Sequence, residues 1–470
     1  MKKTFPITVI LLICLVLGAV STPVSAANAG VSCHTLQADI PLDSSGKKLD
    51  TAQAVILYEL NTDTLVYAYQ ADKKVNPTGL VKLLTVLVAL ENGNLDDVVK
   101  VRQSTLNTVA VGAVSAKLKS GEEITLRDLL YCVMVASAND ACAVIAAHIG
   151  GDQAGFVEMM NAKAAQLGCS ASYFTNAHGL TDPAQYSTAR DLAMIAKAAL
   201  ENEIFREMFG LTAYTVAATN KSDLRELKTT NNMMREKGGN YDARVTGGKP
   251  AAATTVDRSM ICTAQVGTAE YLCVVMNTKG QVSEDGLSII RYGIFEEMSA
   301  LLNYAEKGFE VRQILDDSQA MYQYAVDGGE NAVILCPSRD VTVVLPKDCD
   351  AQKLGFSHQV DMSALAAPIS AGDQMGTLTI SYGNLLMGSC DLLAMNSVFA
   401  QGSNVIDTHR QNANNTVEDP AWKRWFGYGM MVILLALILT AVVTTLVRVV
   451  RNAKLRRQQR RRARNRKRSR

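Results

Sequence analysis

The chain has 470 residues, enough for two or three domains, and its 48% apolar and 20% charged content is that of a globular protein rather than a disordered or fibrous one. Its net charge of +2 hides an asymmetry: setting aside the thirteen basic residues of 448–470, with Lys2 and Lys3, leaves −13 on the body. So acidic a body argues against nucleic acid as its partner.

Residues 1–26 read as a secretory signal, with Lys2 and Lys3 before an apolar run and Val24-Ser25-Ala26 as the cleavage site. A polar lead-in covers 27–50. Two apolar runs within 54–69 flank Asn61-Thr62-Asp63 and predict a hairpin. Helices are predicted over 79–92, over 126–149 with Gly150-Gly151 as the stop, and over 153–167 and 189–203. Strands are expected within 243–275 and a last helix over 287–306. These elements make a mixed α/β domain over 51–306.

From 308 to 396 the pattern changes to short strands such as 332–335, 341–345 and 376–382, which predicts a small all-β module. The Asn-, Gln- and Ser-rich stretch 397–424 reads as a flexible stalk. Residues 425–447 are 23 in number and uncharged, with Trp425, Phe426 and Tyr428 at their start, and predict one transmembrane helix. The positive-inside rule then places 448–470 in the cytoplasm, against anionic lipid, and the main body outside the cell membrane.

Ten cysteines fall to nine once the signal is removed, so at least one stays unpaired within the chain. No His lies at metal-ligand spacing from them, and neither a metal nor a cofactor is implied.

Four stretches could carry chemistry. They are Asn76-Pro77-Thr78-Gly79-Leu80-Val81-Lys82, Ser137-Ala138-Asn139-Asp140-Ala141, Phe174-Thr175-Asn176-Ala177-His178-Gly179-Leu180, and Ala243-Arg244-Val245-Thr246-Gly247. Together they resemble the D-alanyl-D-alanine carboxypeptidases, the low-molecular-weight penicillin-binding proteins, whose signatures are Ser-x-x-Lys, Ser-x-Asn and Lys-Thr-Gly. Ala367-Pro368-Ile369-Ser370-Ala371-Gly372-Asp373 resembles the family's second domain. The resemblance implies a penicillin-binding protein/β-lactamase-like transpeptidase fold of α/β class, an antiparallel sheet flanked by helices, followed by the small β domain and the transmembrane helix.

It also implies roles. Ser-x-x-Lys puts a hydroxyl and an amine on one helical face, so that the amine can take the proton of the attacking oxygen. Here Lys82 stands at its place and Gly79 occupies the nucleophile position. Lys82, Ser137 and Asn139 are the expected catalytic remnant. Thr78, about 100° around the helix and about 1.5 Å along it from position 79, is either a displaced nucleophile or a helix cap. In the third motif Val245 is read in place of the lysine, with Thr246 and Gly247 retained as substrate-binding residues. Lys249, on the same side of an ideal strand but about 6.6 Å further on, is a partial substitute, although Gly248 and Pro250 suggest that the strand is ending.

Three functions follow as expectations. The first is a membrane-anchored homologue of the bacterial cell envelope, impaired in catalysis, that binds peptidoglycan stem peptides or a wall-synthesis partner. The second is an active carboxypeptidase trimming those peptides with a displaced nucleophile. The third is a structural or signalling protein in which the cleft is irrelevant.

Overall fold

The computed structural model describes residues 51–402, except 253, 255, 256, 286, 287 and 384. Strands β1 (Ala54–Glu59) and β2 (Thr64–Tyr69) form the expected hairpin. A 3-10 turn, Thr78–Val81, then leads into α1 (Lys82–Asn92). Short elements follow: β3 (Val98–Lys100), α2 (Gln103–Leu106) and β4 (Glu123–Thr125). The helix expected over 126–149 is two helices, α3 (Leu126–Met134) and α4 (Asn139–Ile149), because Ser137 between them has a left-handed backbone with φ of 61°. Next come α5 (Gln153–Gln166), α6 (Ala189–Leu200), α7 (Glu203–Gly210), and a hairpin of β5 (Ala213–Val216) and β6 (Arg225–Lys228).

The strands β7 (Val245–Ala252), β8 (Arg258–Val266) and β9 (Ala269–Thr278) complete an antiparallel sheet in the order β2-β1-β9-β8-β7. Its edge strand β7 does not stop at Gly248 but runs through Pro250 to Ala252. An edge position tolerates proline, because one side of the strand needs no N–H for a ladder. A small hairpin, β10 (Gln281–Val282) and β11 (Ile289–Arg291), precedes α8 (Gly293–Gly308).

The sheet has two buried faces. One packs on the helices: Ile56, Ile261 and Val274 share a core with the apolar length of α1, with α3 and α4, and with Ile195 of α6. The other packs on α8: Val55, Cys262 and Cys273 share a core with Ile294, Met298 and Leu301. That second core continues into the β module. The module comprises β12 (Phe309–Leu315) paired with β15 (Val341–Pro346), and a sheet of β13 (Tyr322–Tyr324), β14 (Val333–Pro337), β18 (Leu385–Ala394), β17 (Gln374–Tyr382) and β16 (Leu354–Val360), in that order.

The membrane reading is corrected. Among the described residues no helix is long and apolar enough to cross a membrane. The longest, α8, has 16 residues. At about 1.5 Å per residue that falls short of a hydrocarbon core of about 30 Å. The segment 425–447 expected to span, the tail 448–470 expected on anionic lipid in the cytoplasm, and the signal 1–26 all lie outside the described residues. Over the described residues the architecture is an α/β domain with a β module, and no helix among them is long and apolar enough to cross a membrane. The single-pass cell-membrane placement and the lipid partner are set aside.

Candidate active site

The site lies where the start of α1, the start of α4, strand β7 and the segment 174–180 meet. Helix α1 is buried from Lys82 to Ala89, as its nearly unbroken apolar sequence requires, so the Lys82 amine is held inside the fold. Its Nζ donates to Asn139 Oδ1 at 2.8 Å and to the His178 carbonyl oxygen. Asn139 is the first residue of α4, placed by the sharp turn at Ser137. Its neighbour Asp140 is structural. Its carboxylate accepts from Ser115 Oγ at 2.7 Å and from the amides of Ala116 and Leu118 at 2.9 and 3.0 Å, which ties the 115–118 loop to α4.

The His178 carbonyl reaches Lys82 because 174–180 is laid directly on α1. Thr85 Oγ1 donates to the Ala177 carbonyl at 2.6 Å, and Asn176 Oδ1 accepts from the Gly179 amide at 2.7 Å. Gly179 has φ of 77°, and a Cβ there would collide with the Thr78 carbonyl, so only glycine allows this approach. No side-chain pattern pointed to a main-chain acceptor at His178; the glycine after it was the one available signal.

Strand β7 supplies the other wall, and here the sequence reading of the third motif is corrected. The ladder with β8 shifts register between Val245 and Gly247: Val245 pairs with Ala264, Gly247 with Thr263 and Lys249 with Ile261. A bulge of this kind reverses the alternation of side chains. Val245 therefore belongs with Ala264 to the core on the α8 side, while Ala251, like Ile261, belongs to the helical core that contains α1. Lys249 and Ala251 thus face the site, and Val245 does not. Thr246 is exposed and its hydroxyl donates to Thr263 Oγ1 at 2.9 Å, and Gly247 is packed against Phe209 and Thr263. The Gly247-Gly248 pair was the sequence signal for the bulge.

Lys249 is fully buried and its Nζ donates to the Met134 carbonyl at 3.1 Å. Burial, and then the charge of Lys82, hold its pKa well below the ordinary lysine value. Burial lowers Lys82 as well. Beside both amines sits Cys142, whose Sγ donates to the Ala138 carbonyl at 3.3 Å and whose thiol is pushed up to about 11, chiefly by burial, and so stays neutral. His178 is pushed down to about 4 by burial and by Lys82. Its Nδ1 accepts from the Leu180 amide at 3.2 Å, which assigns the ring proton to Nε2. Among the described residues neither amine meets a carboxylate.

Gly79 stands between these walls and is partly open, as is Ser137. A Cβ placed on Gly79 would lie 3.4 Å from Ala251 Cβ and 3.6 Å from Lys82 Nζ, both ordinary contacts. Thr78 does not cap the helix. It has φ of 48°, and its buried Oγ1 makes no hydrogen bond, to the helix start or to Lys82.

Residues 44–280 match the profile of the D-alanyl-D-alanine carboxypeptidase family, and 309–399 match that of the penicillin-binding protein 5 C-terminal domain. The chain is 27% identical to the D-alanyl-D-alanine carboxypeptidase DacD of Salmonella typhimurium over 357 residues, 74% of this chain and 86% of that one. It is 26% identical to DacF of Bacillus subtilis, with 70% and 81% covered. Penicillin binding protein 5 from Haemophilus influenzae superposes with a TM-score of 0.60 at 25% identity, covering 74% of this chain and 98% of that one.

Proposed function

We propose that this chain, which belongs to the D-alanyl-D-alanine carboxypeptidase family, keeps the family's peptide cleft without its acyl-ester chemistry, and holds peptides ending in D-Ala-D-Ala without cleaving them. In this reading Lys249-Pro250-Ala251 is the third motif, so its lysine is retained while its threonine and glycine are replaced. Gly79 stands at the nucleophile position. Lys82, Ser137 and Asn139 remain around a centre with no hydroxyl at position 79 to activate.

The observation that carries the reading is the pair of buried amines, Lys82 and Lys249, beside a residue without a side chain. Two amines with no counter-ion among the described residues favour an incoming anion, and a terminal carboxylate is the anion this family's substrates offer. Binding it raises the depressed amine pKa, so complex formation takes up a proton wherever the free amine is neutral.

The test is calorimetric titration with a peptide ending in D-Ala-D-Ala and with the same peptide as its C-terminal amide, in two buffers of different ionisation enthalpy. The acid binds with proton uptake, the amide binds at least about tenfold more weakly, and no D-alanine is released. D-alanine release that disappears in Lys82→Met overturns the reading, as does equal binding of acid and amide.

A further inference from the structure

The Lys82 amine has a geometry that the proposed binding role leaves unused. Once it has lost its proton, the amine carries two N–H bonds and one lone pair. Asn139 Oδ1 at 2.8 Å and the His178 carbonyl take the two hydrogens. The lone pair is left as the one direction without a partner. A Cβ on Gly79 would lie 3.6 Å from Nζ, so the volume that a serine side chain would fill lies beside the amine and holds no side chain. In a Ser-x-x-Lys site a hydroxyl occupies that space and the amine serves it as a base. Here nothing on residue 79 stands between the amine and an acyl carbon.

We propose that Lys82 is itself a nucleophile toward strained cyclic amides, so that a β-lactam seated over Gly79 is captured as an amide on Nζ. The step balances without a co-reactant. The Nζ–C bond forms at the lactam carbonyl, the lactam C–N bond breaks, and one amine proton ends on the released ring nitrogen. The whole drug is retained, so the mass gain is one intact β-lactam per chain. An unstrained peptide bond lacks the ring strain that drives the opening, so stem peptides bind without being cleaved. The amide is not hydrolysed back, which makes capture stoichiometric and without turnover. Because burial already holds Lys82 below the ordinary lysine range, capture rises with pH and levels off below the range in which exposed lysines react.

The proposal rests on the reading that no hydroxyl at the site forms an acyl-ester, and the experiment separates the two. The purified chain is incubated with benzylpenicillin, weighed intact, treated with hydroxylamine and mapped by peptide mass spectrometry. A single hydroxylamine-resistant adduct on Lys82, absent from Lys82→Met, is the expected result. In Gly79→Ser the adduct moves to residue 79 and becomes hydroxylamine-labile, which also shows that the variant is folded. No adduct, from protein that still binds the D-Ala-D-Ala peptide, overturns lysine capture and leaves the binding function standing. A hydroxylamine-labile adduct on a native hydroxyl overturns both. Adducts spread over exposed lysines overturn the capture site.

Discussion

The two walls of the cleft differ in what they retain. On the helical wall Lys82 and Asn139 are hydrogen-bonded to each other, and the Lys82 amine is further held by a main-chain carbonyl that Gly179 and Thr85 put in place. On the wall formed by the 3-10 turn and the strand, Gly79 and Ala251 face each other with no polar side chain between them, and Pro250 removes an N–H beside Lys249. Polar groups that position and polarise are present on the first wall, and position 79 on the second carries no side chain. Burying an amine is unfavourable unless something compensates it, and an apolar side chain in its place is often neutral or stabilising. The cleft carries two such amines, which is the pattern of a site shaped for a ligand rather than for stability.

The sharpest way to break the contrast between the walls is to return a hydroxyl to the second. Gly79 has no left-handed backbone, and a Cβ there meets only ordinary contacts, so Gly79→Ser is accommodated without backbone movement. It should create a hydroxylamine-labile penicilloyl ester and raise D-alanine release from background by about 10³-fold or more, the scale on which a nucleophile acts in such sites. If the variant folds, binds the peptide and still forms no ester, the loss lies in the strand wall and not in the missing serine.

How much of this was legible beforehand depended on whether a local pattern carried it. The hairpin, α1, α5, α6 and the β module followed from alternation, helical periodicity and turn residues, as did the places of Lys82 and Asn139. The strand wall was misread, since counting every second residue from Val245 assumes an unbroken ladder, and one bulge inverts the count. Ser137 split a helix that apolar content alone joined, because a left-handed residue leaves no mark on hydropathy. The His178 carbonyl was invisible for a different reason: a main-chain acceptor has no residue type.

A smaller effect distinguishes the two amines from ordinary buried polar groups. The folded state holds Lys249 below its unfolded pKa, so between those two values the unfolded chain carries the extra proton and stability rises with pH. The penalty is full below the folded value and vanishes above about 10.5, the ordinary lysine value. In Lys249→Met this contribution is gone. Urea unfolding of both proteins from pH 7 to 10.5 should therefore show the difference moving in favour of the wild type by about 1.4 kcal/mol per pH unit inside the window. Parallel curves would mean that Lys249 is charged and compensated in the fold, and would remove the case for an anion-ready site.

The smallest effect tests whether the 174–180 segment works as part of the helical wall. His178 falls from its ordinary 6.5 to about 4, first by burial and then by the Lys82 charge. Between those values the unfolded chain binds the proton and the folded chain does not, so stability declines as pH drops through the window and is unaffected above it. The whole shift corresponds to about 3 kcal/mol, and partial exposure of the ring brings the expected loss nearer about 2 kcal/mol. Protonation also turns Nδ1 into a donor against the Leu180 amide that it accepts from, loosening the turn that presents the His178 carbonyl to Lys82. Peptide binding should weaken over the same acid range in which the His178 ring resonance titrates, and His178→Gln should abolish that acid limb. A ring that titrates at its ordinary pH while binding continues unchanged would detach this segment from the site.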